Sequence, residues 1–279
     1  MRFKSHVLRR LDPTDPWNRA VLVLSAAAAM AGAYLTLAHD REPFLAIEAG
    51  GYAFLAWALA RELDPDRQVP ALVLAVLGAA WALLGYGTVM LPFAGVLVTA
   101  RLVVETTGRR PLATDLAVLA SFATVISFTP LGWVAGFGLA VAIYVDDRLS
   151  GEPSRAALYA AIGAAVGSTL VASLSGAFPR SAPIVRPLLI AALGLMALIA
   201  TVREPLDPVS FVDSRSKRFL RKDRLQASRA ICAIVLFLGA LISGESAPEV
   251  LPMALVVAFA LASSEVERTR RPRSTELPP

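Results

Sequence analysis

The chain predicts an all-α fold: a polytopic transmembrane helical bundle, about ten spans arranged as five hairpins, both termini cytoplasmic. Three observations predict it. Hydrophobic residues make up 56% of the 279 positions and charged residues only 18%, less charge than a soluble domain of this size carries. Apolar segments recur along almost the whole chain and leave no large soluble domain. Of the 27 Lys and Arg residues, 24 fall on one side of the resulting topology, as the positive-inside rule requires.

The segments in order are Ala20–Ala38, Phe44–Ala60, Val69–Tyr86, Val89–Val104, Ala113–Thr129, Leu131–Val145, Ala156–Phe178, Ile184–Val202, Ala230–Ser243 and Val250–Ser263. Residues 1–19 are expected to form a cytoplasmic N-terminal segment, 20–263 a single membrane domain and 264–279 a disordered cytoplasmic tail. The first segment follows Asp12, Pro13, Asp15 and Pro16 without a convincing cleavage region, so a retained helix is expected rather than a signal peptide.

Two stretches need dividing. As a single helix, Val69–Val104 would be roughly 50 Å long, too long for one crossing. Gly85-Tyr86-Gly87 supplies a turn there. In Ala113–Val145, Phe128-Thr129-Pro130-Leu131-Gly132 is either a turn or a kink. Charge decides for a turn. One crossing would put the basic 203–229 loop opposite the basic N-terminus; two crossings put both on the same side, with Arg41, Arg180 and Arg186 alone on the far side.

A net charge of +5 does not indicate nucleic acid here, because the basic residues lie between apolar segments rather than on one soluble face. The single cysteine, Cys232, lies within an apolar run and reads as a small core residue. His6 and His39 flank the first segment at opposite ends and cannot share a site. The chain has no P-loop, zinc-protease or nucleophile-elbow motif.

Every even-numbered span leaves through a mixed-charge cluster. These are Arg61-Glu62-Leu63-Asp64, Arg101 with Glu105, Asp146-Asp147-Arg148, Arg203-Glu204, and Glu265 with Glu267-Arg268. Arg101 is expected to reach the headgroups along its aliphatic stem. Leu-Asp-Pro occurs at Leu11, Leu63 and Leu206, where Asp suits a cap or turn and Pro a first helical position.

Asp64 and Asp66 follow the second span, and Asp146 and Asp147 the sixth. Carboxylates at a helix C-terminus oppose its dipole and need a compensating cation, either Arg148 or a bound metal. They are the metal candidates, with Mg²⁺ as the ion if the protein is a lipid or prenyl-group transferase at the cytoplasmic face. Membrane prenyltransferases carry acidic motifs after the same two helices, but their Asn/Asp-x-x-x-Asp spacing is absent here.

Glu48 lies about one turn inside the second span, where a carboxylate suits an ion or proton path. Ser121, Thr124, Ser168 and Thr169 are further path candidates or helix-packing hydroxyls, and Gly132/Gly136 and Gly163/Gly167 have close-packing spacing. In the 203–229 loop, Arg215, Lys217, Arg218, Arg221 and Lys222 alternate with Phe219, Leu220 and Leu225. This pattern suits either a short helix at anionic headgroups or a solvated loop.

The leading functional expectation is a small-solute transporter or permease, by analogy with compact ten-span exporters. The alternatives are a structural or accessory subunit of a membrane complex and the transferase. Membrane lipids are expected partners, together with a membrane-protein partner or a homo-oligomer. Composition points to the bacterial inner membrane.

Overall fold

The computed structural model describes residues 11, 12, 14–86, 90–106, 110–177 and 220–243. Among the described residues every regular element is helical. The elements are α1 (Pro16–His39), α2 (Leu45–Leu63), α3 (Gln68–Leu83), α4 (Met90–Val104), α5 (Ala113–Val125), a 3-10 turn (Ile126–Phe128), α6 (Pro130–Leu149), α7 (Arg155–Ser175) and α8 (Lys222–Ser243). The expected segments Ile184–Val202 and Val250–Ser263 lie outside the described residues, as does the third Leu-Asp-Pro. By length and composition, α1 and α7 suffice to cross a membrane; α3, α4 and the 113–128 stretch are apolar but shorter.

Local chemistry sets the boundaries. Asp15 caps α1 by accepting the Trp17 N–H, with Pro16 in the first turn. Asp12, three residues earlier, instead closes a turn through the Thr14 N–H and hydroxyl. Asp64 ends α2 rather than starting α3, so neither Asp12 nor Asp64 is a helix N-cap. α3 ends at Leu83, and Gly85 follows with φ +92°, a left-handed conformation open to glycine.

The 126–132 stretch is a reversal, not a kink. Thr129 caps α6 by accepting the Gly132 N–H, and Pro130 takes the first helical position. A Cβ on Gly136 would lie 2.5 Å from the Ala123 carbonyl oxygen, and one on Gly132 would collide with that of Ile126. Ascending α6 therefore means descending α5, so the two helices are antiparallel.

Small residues make the inter-helix seams. A Cβ on Gly32 would come within 2.7 Å of the Leu45 carbonyl, one on Gly50 within 2.9 Å of that of Ser25, and one on Gly78 within 2.9 Å of that of Tyr52. Backbones approach this closely only where no side chain intervenes. Gly163, by contrast, faces open space.

Two helices, α7 and α1, sort their side chains by size. α7 buries Ala157, Ala161, Ala164, Ser168 and Ala172 and exposes Tyr159, Ile162, Val166, Leu170 and Leu174. α1 buries Val21, Ala28 and Gly32 and exposes Val23, Met30, Tyr34 and Leu37. Water-soluble proteins put their large apolar side chains inside. On α1 and α7 the outward stripes at helical spacing are the large ones, whereas Tyr52, Trp57, Phe93 and Leu139 fill the core between the other helices.

The helices form two groups, α1–α3 and α4–α8. They meet mainly through α2, which packs on α4 and touches α8. Along that seam the Tyr52 ring meets Phe93 edge-on, with centroids 5.8 Å apart.

Candidate functional site at the charged end of the bundle

Five helix ends bring their charges to one end of the molecule. Arg61, in the last turn of α2, donates to Asn18 Oδ1 at 3.0 Å and lies 3.9 Å from Asp15, both at the start of α1. Its guanidinium also stacks over Trp57, 5.1 Å from the ring centroid. Glu62, the next residue, is 3% exposed and accepts from Arg101 Nε of α4 at 2.9 Å. Arg101 thus turns inward to a carboxylate and does not reach for headgroups as the sequence suggested.

Arg224, in the first turn of α8, is the centre of the cluster. It is 2% exposed, and its Nη1 donates to Asp146 Oδ1 at 2.6 Å and to the Val103 carbonyl at 3.0 Å. Nη2 donates to Ser150 Oγ at 2.9 Å, and Nε lies 3.4 Å from Glu105 Oε2. One guanidinium therefore joins the C-terminal ends of α4 and α6. Glu105 faces it from a backbone with φ 58°, a strained conformation for a glutamate.

Arg229, one turn further along α8, donates from Nε to the Leu63 carbonyl at 2.7 Å. The last carbonyls of a helix lack intrahelical partners and carry the negative end of its dipole. Arg224 and Arg229 supply a donor and a positive charge at the ends of α4 and α2. The cation that the Asp146 position demanded is Arg224; Arg148 instead stacks over Tyr144, 5.0 Å from the ring centroid.

The other acidic candidates have local roles. Asp147 Oδ1 accepts the Ser154 N–H at 2.8 Å, tying down the turn into α7. Asp64 lies 3.5 Å from Arg67 and is 8% exposed, while Asp66 is exposed. Among the described residues no three His, Cys, Asp or Glu side chains converge as metal ligands would.

The path candidates do not meet. Glu48 is half-buried in the first turn of α2, at the opposite end from the charges. Ser121 is exposed. Thr124 and Thr169 donate to carbonyls of their own helices, Ala120 and Ala165. The Thr169 hydroxyl also accepts from Trp133 Nε1 at 3.4 Å. Ser168, fully buried, donates across to the Ala123 carbonyl at 3.0 Å, which also takes Ser127 Oγ at 2.7 Å. These hydroxyls serve helix packing.

Of the basic loop, Arg215, Lys217 and Arg218 lie outside the described residues. Arg221 and Lys222 are exposed at the start of α8. Arg221 pairs with Asp223 and donates to the Leu149 carbonyl at 3.2 Å. The Arg221 guanidinium's hydrogen bond to Asp223 is the chief reason the Asp223 carboxyl is held below the usual carboxylate range. Leu220 and Leu225 are buried with Val104, so these two leucines face the bundle and not headgroups; Phe219 lies outside the described residues.

Glu62, Arg224 and Arg229 were not among the sequence candidates. The missed signal is the spacing of Arg224 and Ser228, four apart on one helical face, with Arg229 beside them just ahead of the apolar run at Ala230. No protein-family model matches the chain, no curated protein matches it, and no solved structure matches it.

Proposed function

We propose that the chain is a multi-pass membrane protein with ten spans and its charged end in the cytoplasm, and that it works as a small-solute transporter or permease of a bacterial inner membrane. The membrane reading is supported by α1 and α7, the two described helices long and apolar enough to cross a membrane, which turn small residues to their neighbours and large apolar ones outward, as suits a hydrocarbon solvent. The two terminal-half segments Ile184–Val202 and Val250–Ser263 enter the count on sequence alone.

The observation that carries the transport reading is the seam. α1–α3 and α4–α8 adjoin mainly along α2, with Glu62–Arg101 near its charged end and Tyr52–Phe93 further along. Among the described residues, two groups of helices joined mainly along one helix suit carriers that rock one bundle against another. The test uses proteoliposomes holding the Gly51→Cys, Met90→Cys chain in a Cys232→Ser background. A bifunctional thiol reagent should halt efflux of a fluorescent cationic dye or uptake of labelled amino acids. Undiminished flux after complete cross-linking would refute the reading, and so would an absence of flux in the uncross-linked chain.

A second reading, an accessory membrane subunit, is favoured by the hydroxyls of Thr124, Ser127, Ser168 and Thr169, all bonded within the bundle. It requires a partner that co-purifies in mild detergent at fixed stoichiometry.

A further inference from the structure

The outward face of α6 ends in a cation. Phe137, Val141, Tyr144 and Arg148 recur at helical spacing on one face, and all four are exposed. Read toward the charged end, that face passes from apolar to aromatic to cationic. Arg148 is held against the Tyr144 ring, and the two acids before it are engaged elsewhere, Asp146 with Arg224 and Asp147 with the Ser154 N–H. A second cation is anchored at the same helix end: Arg221 Nη1 bonds the carbonyl of Leu149, the residue after Arg148. Arg221 also pairs with Asp223, and exposed Lys222 adds another positive charge beside them.

We propose that this corner, the last turn of α6 with Arg221 of the α8 approach, binds one anionic phospholipid of the cytoplasmic leaflet. Arg148 and Arg221 take the headgroup phosphate, and Phe137 and Val141 take an acyl chain. The inference rests on the membrane reading. Tyrosine at the headgroup level and apolar side chains below it match the profile of a leaflet. A free phosphate would use the cations but leave the apolar stripe without a partner, so the lipid is the better fit.

The test is native mass spectrometry of the full chain released from nanodiscs of mixed phosphatidylglycerol and phosphatidylcholine. The wild type should retain phosphatidylglycerol in preference. Arg148→Ala and Arg221→Ala should each lower that preference about fivefold, and the pair about 25-fold. Arg110→Ala, at an exposed arginine paired with Glu152, should leave it unchanged. If Arg148→Ala fails to fold, Arg148→Gln decides by the same ratio. Equal retention of the two lipids by the wild type would overturn the proposal. So would a preference that survives both substitutions, or displacement of the lipid by inorganic phosphate. A chain that inserts into nanodiscs without a lipid preference overturns this site alone. A chain that stays in solution without detergent overturns the membrane reading first.

Discussion

Arg224 and Asp146 meet across 78 residues of sequence, guanidinium to carboxylate at 2.6 Å, with almost no solvent access to either. The pair ties α8 to α6, and through the Val103 carbonyl to α4. A buried ion pair adds little net stability over an apolar replacement, but removing one partner leaves the other charge buried and uncompensated.

Asp146→Asn and Arg224→Leu should therefore each destabilise the protein by about 3–5 kcal/mol. Glu105→Gln should cost less, about 1 kcal/mol, because Glu105 is more exposed and its contact longer. Thermal unfolding of the detergent-solubilised protein measures all three. A smaller loss in the Asp146→Asn, Arg224→Leu double variant than the sum of the two singles would confirm coupling; strict additivity would count against it.

Gly136 sits where α5, α6 and α7 meet. A Cβ there would be 2.5 Å from the Ala123 carbonyl, 2.6 Å from Ser127 Oγ and 2.7 Å from Ser168 Oγ. Gly136→Ala should cost about 1–3 kcal/mol by overpacking. Gly163→Ala, whose new Cβ would meet nothing within 4 Å beyond its own stretch of helix backbone, should stabilise α7 by about 0.5–1 kcal/mol. The same melting experiment compares the two, and a like response at both positions would contradict the packing described.

The Arg221–Asp223 pair predicts a pH effect of known sign. The Asp223 carboxyl titrates lower in the fold than in the unfolded chain, because Arg221 hydrogen-bonds its charged form. Its contribution is present above the ordinary carboxylate range and is lost as pH falls through the lowered value. Both side chains are about half exposed, so the effect is small and screened by salt. Asp223→Asn should flatten that part of the acid stability profile, and an unchanged profile would remove the pair's role.

Topology is testable residue by residue. In a Cys232→Ser background, cysteines at Glu42 and Tyr86 should react with an impermeant thiol reagent in intact cells. Cysteines at Asp66 and Glu152 should react only after permeabilisation. Labelling of Glu42 and Asp66 from the same side would end the hairpin assignment, because α2 alone lies between them.

The helix series was readable because its signals are local. Apolar runs, Gly85 and Thr129-Pro130 mark where helices stop and start, and the described helices follow them within a few residues. The charge bias that argued for a reversal at Pro130 agrees with the antiparallel α5 and α6. Boundaries were poorest where polar residues belong to a helix: α8 begins at Lys222, eight residues before the apolar run at Ala230. Sequence also flagged Gly163 and passed over Gly32, Gly50 and Gly78, since spacing within one helix does not say which face meets another backbone.

The sequence by itself determined that this is a helical chain with most of its positive charges in the stretches between apolar segments, because helix formation and charge placement depend on neighbours a few residues away. Only the tertiary structure decided which charges find each other. That Asp146 faces Arg224 rather than Arg148 or a metal, that Arg101 turns in to Glu62, and that Ser168 bonds the Ala123 carbonyl are relations between residues distant in the chain. They follow from which small residues let two helices approach closely enough for side chains from a third to reach between them.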